Sequence, residues 1–170
     1  MNQLSRLFAS LCVLGISPTM ATFSERKKVQ KLVYLLDKVF DMRFGFSYSW
    51  YLHGPYSPQV TKIVFDVIEG RQTASADPKV LSSEDLRKID RLKAFLGNDL
   101  CSTDQLELLV SLHFLVDHSK SLGLKKEAVV SFLKSKKPYF TDQEINGALD
   151  RLQGLEVSAI ADDAFHTLEN

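Results

Sequence analysis

Only two cysteines, one tryptophan, five prolines and eight glycines occur in the 170 residues, and the formal net charge is zero. Cys12 and Cys101 form no CxxC pair, which excludes a disulfide scaffold and a cysteine-rich zinc module. Each lies in an apolar stretch, so both are expected to be small buried hydrophobes in a reducing compartment, the cytoplasm. The low Gly and Pro content excludes a collagen-like or linker-dominated chain. No apolar run approaches the roughly 20 residues that cross a bilayer, so no membrane contact is expected. Lys plus Arg (21) balances Asp plus Glu (21). No global charge therefore drives association with phosphate backbones or anionic lipid, and any such contact must come from a local patch.

What is present is an ordinary globular composition, 45% hydrophobic and 25% charged, with apolar residues recurring mostly at helical spacing. Leu4, Leu7, Phe8, Leu11 and Leu14 share one helical face, while Arg6 followed by the apolar run 7–16 and Thr19-Met20-Ala21 has the layout of a secretory leader. Residues 1–21 are thus either a first helix or a cleaved signal, and the amphipathic stripe favours the helix. Thr22 and Glu25 form a capping box that opens a second helix, continuing to about Asp41 on Val29, Leu32, Val33, Leu36, Val39 and Phe40, with its lysines mostly on other faces.

From Phe44 to Leu52 the rhythm changes to alternation, with the aromatic rings of Phe44, Phe46, Tyr48 and Trp50 on one face. This predicts one short strand, broken at His53-Gly54-Pro55. Ser57 as cap and Pro58 at the first helical position open a third helix, which stops at Gly70. Residues 71–80 read as a surface loop that can hide a strand pairing the first. A fourth helix follows Ser82 or Ser83, and a fifth, apolar nearly all round, follows the Ser102/Gln105 box. The sixth and seventh, over 125–135 and 141–153, are joined by Lys136-Lys137-Pro138-Tyr139-Phe140. The expected fold is mainly α (α+β): about seven helices with one short strand or β-ribbon, in an arrangement that admits a winged helix. A single domain is expected over 1–154, with an acidic, flexible tail over 155–170.

Gln30-Lys31-Leu32-Val33-Tyr34-Leu35-Leu36, followed by Ser49-Trp50-Tyr51-Leu52-His53-Gly54-Pro55-Tyr56-Ser57, resembles the YwgA-like group of small prokaryotic proteins, and Lys137-Pro138-Tyr139-Phe140-Thr141 is also similar to it. The element order is more remotely similar to the Panacea or SocA-like antitoxin domain, whose turn has a different residue order around its proline and glycine. The resemblance implies a helical domain acting through protein partners, in some members by neutralising a toxin. It carries over no catalytic residue.

The chemistry of the chain agrees with that implication. His113 and His118, five apart, diverge by about 140° on a helix and cannot form an i, i+4 zinc pair. No phosphate loop, GxSxG turn or HExxH occurs, and the carboxylates read as solvent-facing, with Asp162-Asp163 in the tail. Neither catalytic residues nor a cofactor or metal is expected. Tyr51, His53, Tyr56 and Ser57, at a rigid turn beside a helix start, are the candidate partner contacts, although a strand end and a cap need such residues for stability alone. The other candidate is the lysine turn Lys134, Lys136 and Lys137, which a winged-helix DNA binder could use against phosphates. Residues 138–170 hold seven acidic residues against Arg151 alone, which opposes that use. The expectation is a non-enzymatic adaptor or regulator binding another protein, with DNA binding as the alternative.

Overall fold

The computed structural model describes residues 2–17 and 21–168, with side-chain surroundings described as far as Leu155. Thr19 and Met20 of the leader-like site, and Asn170 at the end of the expected tail, fall outside the described residues. The described chain is mainly α with one two-stranded antiparallel ribbon. It divides into two compact units, Met1–Val110 and Ser111–Asn170.

In the first unit, α1 (Gln3–Val13) is capped by Asn2 and buries Leu7, Phe8 and Leu11. It packs on α4 (Ser83–Leu96) and on a short turn at Pro78–Val80. Arg6 ties the two helices: it pairs with Asp85 of α4, and its Nη1 donates to the Met42 carbonyl at 2.6 Å. Asp85 also closes the α4 capping box with Ser82. Burial pushes the Asp85 carboxyl up, but the Arg6 and Ser82 hydrogen bonds outweigh it and hold the group below its ordinary value.

The Thr22/Glu25 box opens α2 (Phe23–Tyr34). The helix then widens into one π-helical turn, Leu35–Val39, closed by the Phe40 amide donating to the Leu35 carbonyl at 2.9 Å. Val29, Leu32, Val33, Leu35 and Leu36 are all in the core, each contributing roughly 1.5–3 kcal/mol of burial. The π turn aims the buried Asp37 at the following segment, where its carboxylate accepts from the amides of Gly45 (3.0 Å) and Phe46 (3.1 Å).

The alternation after Phe40 has a cause other than a strand. Asp41, Arg43 and Gly45 have φ of 51°, 55° and 76°, while the intervening Met42, Phe44 and Phe46 are buried. Left-handed backbone at every second residue preserves alternate burial but prevents ladder pairing. The strands are therefore shorter than expected: β1 (Ser49–Tyr51) pairs with β2 (Gly54–Tyr56), register Ser49↔Tyr56, Trp50↔Pro55 and Tyr51↔Gly54. The Gly-Pro segment that was expected to break the strand is its partner, and residues 71–80 contribute no strand. Gly54, at φ 85°, supplies the left-handed residue after the two-residue turn Leu52-His53.

Ser57 then caps α3 (Pro58–Ile68) with Pro58 in the first turn, and α3 packs on α2. A 3₁₀ turn, Gly97–Cys101, leads to α5 (Thr103–Leu122). Over residues 106–112 α5 is buried on every face, as its all-round apolar character predicts. Cys12 and Cys101, expected inside, are both exposed. Cys12 lies about 100° round α1 from Leu11, at the edge of the apolar stripe, and Cys101 ends the connecting turn.

The second unit holds the rest of α5, α6 (Lys126–Lys136) and α7 (Asp142–Leu168). The Thr141/Glu144 pair caps α7 as its spacing predicts, the Glu144 amide donating to Thr141 Oγ1 at 3.2 Å and the Thr141 amide to Glu144 at 2.8 Å. The helix does not stop near Gln153. It continues to Leu168, because an interior glycine such as Gly154 weakens a helix by about 1 kcal/mol without ending it.

Candidate functional site

The ribbon is held from below by one face of α2. Lys27, Gln30 and Lys31 stand at i, i+3 and i+4 and so project together. Gln30 works as a two-way clamp on the start of α3: its Nε2 donates to the Ser57 carbonyl (2.9 Å) and to Thr61 Oγ1 (2.8 Å), while the Ser57 amide donates to its Oε1 (3.1 Å). Thr61 donates in turn to the Tyr56 hydroxyl at 3.0 Å. The buried Lys31 donates from Nζ to the Pro55 carbonyl at 3.1 Å. Proline has no amide to give the ladder, so Trp50↔Pro55 suits a non-hydrogen-bonded pair, whose carbonyls point outward. That orientation is the one Lys31 uses.

The turn itself rests on Glu107, a buried carboxylate in the wholly buried stretch of α5. Glu107 Oε2 lies 3.2 Å from Lys27 Nζ and 3.5 Å from His53 Nδ1. The His53 ring also stands edge-on to Phe23, centroids 5.2 Å apart at 71°, and Lys27 Nζ lies 5.7 Å from the centre of the same Phe23 ring. Three elements thus converge on the turn and its His53: α2 with Phe23 and Lys27, α5 with Glu107, and β2 with Tyr56, whose ring meets Tyr51. The arrangement balances charge by hydrogen bonding, as a buried carboxylate requires, and holds the turn rigid.

A rigid turn presents its outer side chains in a fixed pose. Phe23, Tyr51 and Leu52 are 55%, 64% and 76% exposed. The Tyr51 ring leans on that of Tyr56, centroids 5.6 Å apart, a diagonal cross-strand contact. Of the four contacts expected here, Tyr51 is exposed, while His53 and Tyr56 are half-buried and engaged. Ser57 is fully buried. Its hydroxyl accepts from the Val60 amide at 3.4 Å, so it is a cap and not a surface contact, and the α3 amino end has that amide already satisfied.

The lysine turn divides differently. Lys137, expected to meet phosphates, is buried, with Nζ 3.5 Å from the Tyr139 hydroxyl. Lys134 pairs with Asp142 at 2.6 Å. Lys136 is exposed, Nζ 5.6 Å from the Phe132 ring centre. Proline at 138 and the start of α7 draw the chain back on itself, and Lys137 goes inward with it.

Sequence reasoning missed Glu107, Gln30, Lys27, Lys31 and Phe23. Carboxylates expected on solvent faces prove buried at Asp37, Asp66, Asp85 and Glu107. For Glu107 a signal existed: a charge embedded in Leu106-Glu107-Leu108-Leu109-Val110 on an all-round apolar helix must find a partner. Among the described residues no group of three or more His, Cys, Asp or Glu stands close enough to hold a metal ion, and no helix is long and apolar enough to cross a membrane. In comparison with known proteins the chain matches no family model, and it has no significant match among curated proteins or solved structures.

Proposed function

We propose that this chain is a non-catalytic regulator or adaptor that works by binding another protein through the ribbon turn. One observation carries the reading: Tyr51 and Leu52 at the ribbon turn, and Phe23 of α2 beside it, are exposed over a support formed by Glu107, Lys27, Gln30 and Lys31. Aromatic side chains on a preorganised support give large contact area at little ordering cost, the usual character of binding hot spots. His53 and Tyr56 frame the patch and supply polar contacts at its rim. The likeness of residues 49–57 to the YwgA-like turn supports action through a partner, which in the antitoxin manner would be a toxin. The exposed, unbridged Cys12 and Cys101 fit a reducing compartment such as the cytoplasm.

DNA binding has weaker support. Lys137 is buried and Lys134 already pairs with Asp142.

A photo-crosslinker placed at Leu52 in the full chain, in native cells, tests the proposal. A discrete adduct is expected at position 52, absent with the crosslinker at the exposed Arg87 of α4 and lost when Tyr51→Ala and Phe23→Ala are added. Equal labelling at both positions, or none at 52, overturns it.

A further inference from the structure

Ile68, Leu86, Phe132 and Tyr139 are exposed singly, whereas the junction of α5 and α6 turns two leucines outward two residues apart, and its local geometry is unusual. The α5 end is a Schellman closure: the Leu124 amide donates to the Ser119 carbonyl at 3.0 Å and the Gly123 amide to the Lys120 carbonyl at 3.4 Å, with Gly123 at φ 66°. In such a closure the residue at the Leu124 position ordinarily packs on an apolar residue at the position Ser119 occupies. Ser119 instead turns its hydroxyl to the Val116 carbonyl at 2.8 Å. Leu124 is left 53% exposed, beside Leu122 at 69%.

The whole stretch 120–128 is exposed, and a Cβ built on Gly123 meets nothing within 4 Å among the described residues. With every side chain from 120 to 128 exposed, the turn stands out from the surface of the described residues. Lys120 precedes the leucines and Lys125 and Lys126 follow them, against the single carboxylate Glu127. In a chain of zero net charge, this is a local excess of lysine beside an apolar tip.

We infer that the Leu122-Gly123-Leu124 turn docks on the surface of an anionic phospholipid bilayer, the two leucines entering the interface and Lys125 and Lys126 lying against the headgroups. A protein partner would need a matching hollow and an interface on the order of 1,000 Å², more than a nine-residue tip offers. A bilayer closes round a small object without a preformed hollow, and it supplies both an apolar layer and negative charge at the depths where this turn carries leucine and lysine. Contact of this kind needs no spanning helix.

The test uses the full chain with vesicles of phosphatidylcholine and phosphatidylglycerol at 70:30, against phosphatidylcholine alone. Co-sedimentation with the anionic vesicles is expected, weakening as salt rises. K125E/K126E is expected to lower binding about thirtyfold or more, and L122S/L124S about tenfold or more; circular dichroism should be unchanged, because all four side chains are exposed. Leu124→Trp in a Trp50→Phe background gives a direct reading of depth: its emission should shift to the blue on anionic vesicles and be quenched by brominated acyl chains. A chain that stays in the supernatant with both vesicle types overturns the inference and leaves the leucines to a protein contact, as does binding indifferent to the leucine pair or a tryptophan that stays solvent-exposed on bound vesicles.

Discussion

Removing either partner of the Lys27–Glu107 pair should cost more than removing both. Glu107 is 2% exposed and Lys27 18%, at side-chain level, with 3.2 Å between their charged atoms. Taking away one member of a buried pair typically costs about 3–5 kcal/mol, because the other charge is stranded. Lys27 can still reach water along its stem, so Glu107→Leu falls below that range, at about 2 kcal/mol. Lys27→Met strands the more deeply buried group beside His53, 3.5 Å away, and should cost about 3 kcal/mol. The double variant replaces the pair by apolar side chains of similar size and should lie within about 1 kcal/mol of the parent, giving a coupling of about 4 kcal/mol. Urea unfolding followed by the fluorescence of Trp50, the sole tryptophan and part of β1, reports on the unit that contains the pair. Additive single-variant costs in the double variant, or a Glu107→Leu cost larger than that of Lys27→Met, would refute the reasoning.

Two further outcomes follow from other buried groups. The Tyr48 hydroxyl is buried with no hydrogen-bond partner among the described groups, and burial, with Asp37 and Tyr34 nearby, pushes its ionisation far above the ordinary value; Tyr48→Phe should therefore stabilise the protein by up to about 1 kcal/mol, and a loss of that size in thermal unfolding would show a bond that the geometry lacks. Asp85 titrates below its ordinary 3.8 in the folded protein, so its contribution is fully present above about pH 4 and fades as pH falls through the lower folded value; Asp85→Asn should cost about 2 kcal/mol at pH 7 with the gap to the parent closing in acid, and a gap constant from pH 7 to pH 2 would contradict the Arg6–Asp85 assignment.

Local signals were legible in the amino-acid string because their partners lie within a few residues. The Thr22/Glu25 box, the Ser57-Pro58 helix start and Gly70 after α3 all act where spacing places them. Alternate burial from Phe44 onward was also readable, but its start at Met42 was not, because the left-handed residues at Asp41 and Arg43 have no marker in a periodic pattern. Lys31, Lys137 and Glu107 misled for one shared reason: a charged side chain suggests solvent unless its distant partner is known, and Pro55 lies 24 positions from Lys31. The site was half visible for the same reason. Tyr51, His53 and Tyr56 announced themselves as aromatics at a Gly-Pro turn, whereas the groups that hold the turn come from α2 and α5.

The wide turn at Leu35–Val39 has an evolutionary corollary. It takes up one more residue than a regular helix would over the same rise, and Asp37 meets the Gly45 and Phe46 amides only in that frame. Deleting a residue there would restore an ordinary helix but swing the carboxylate by about 100°, releasing the amides of the loop beyond. Sequences descended from a common ancestor with this chain should accordingly keep the spacing from Thr22 to Phe46 invariant and vary in length across residues 71–80.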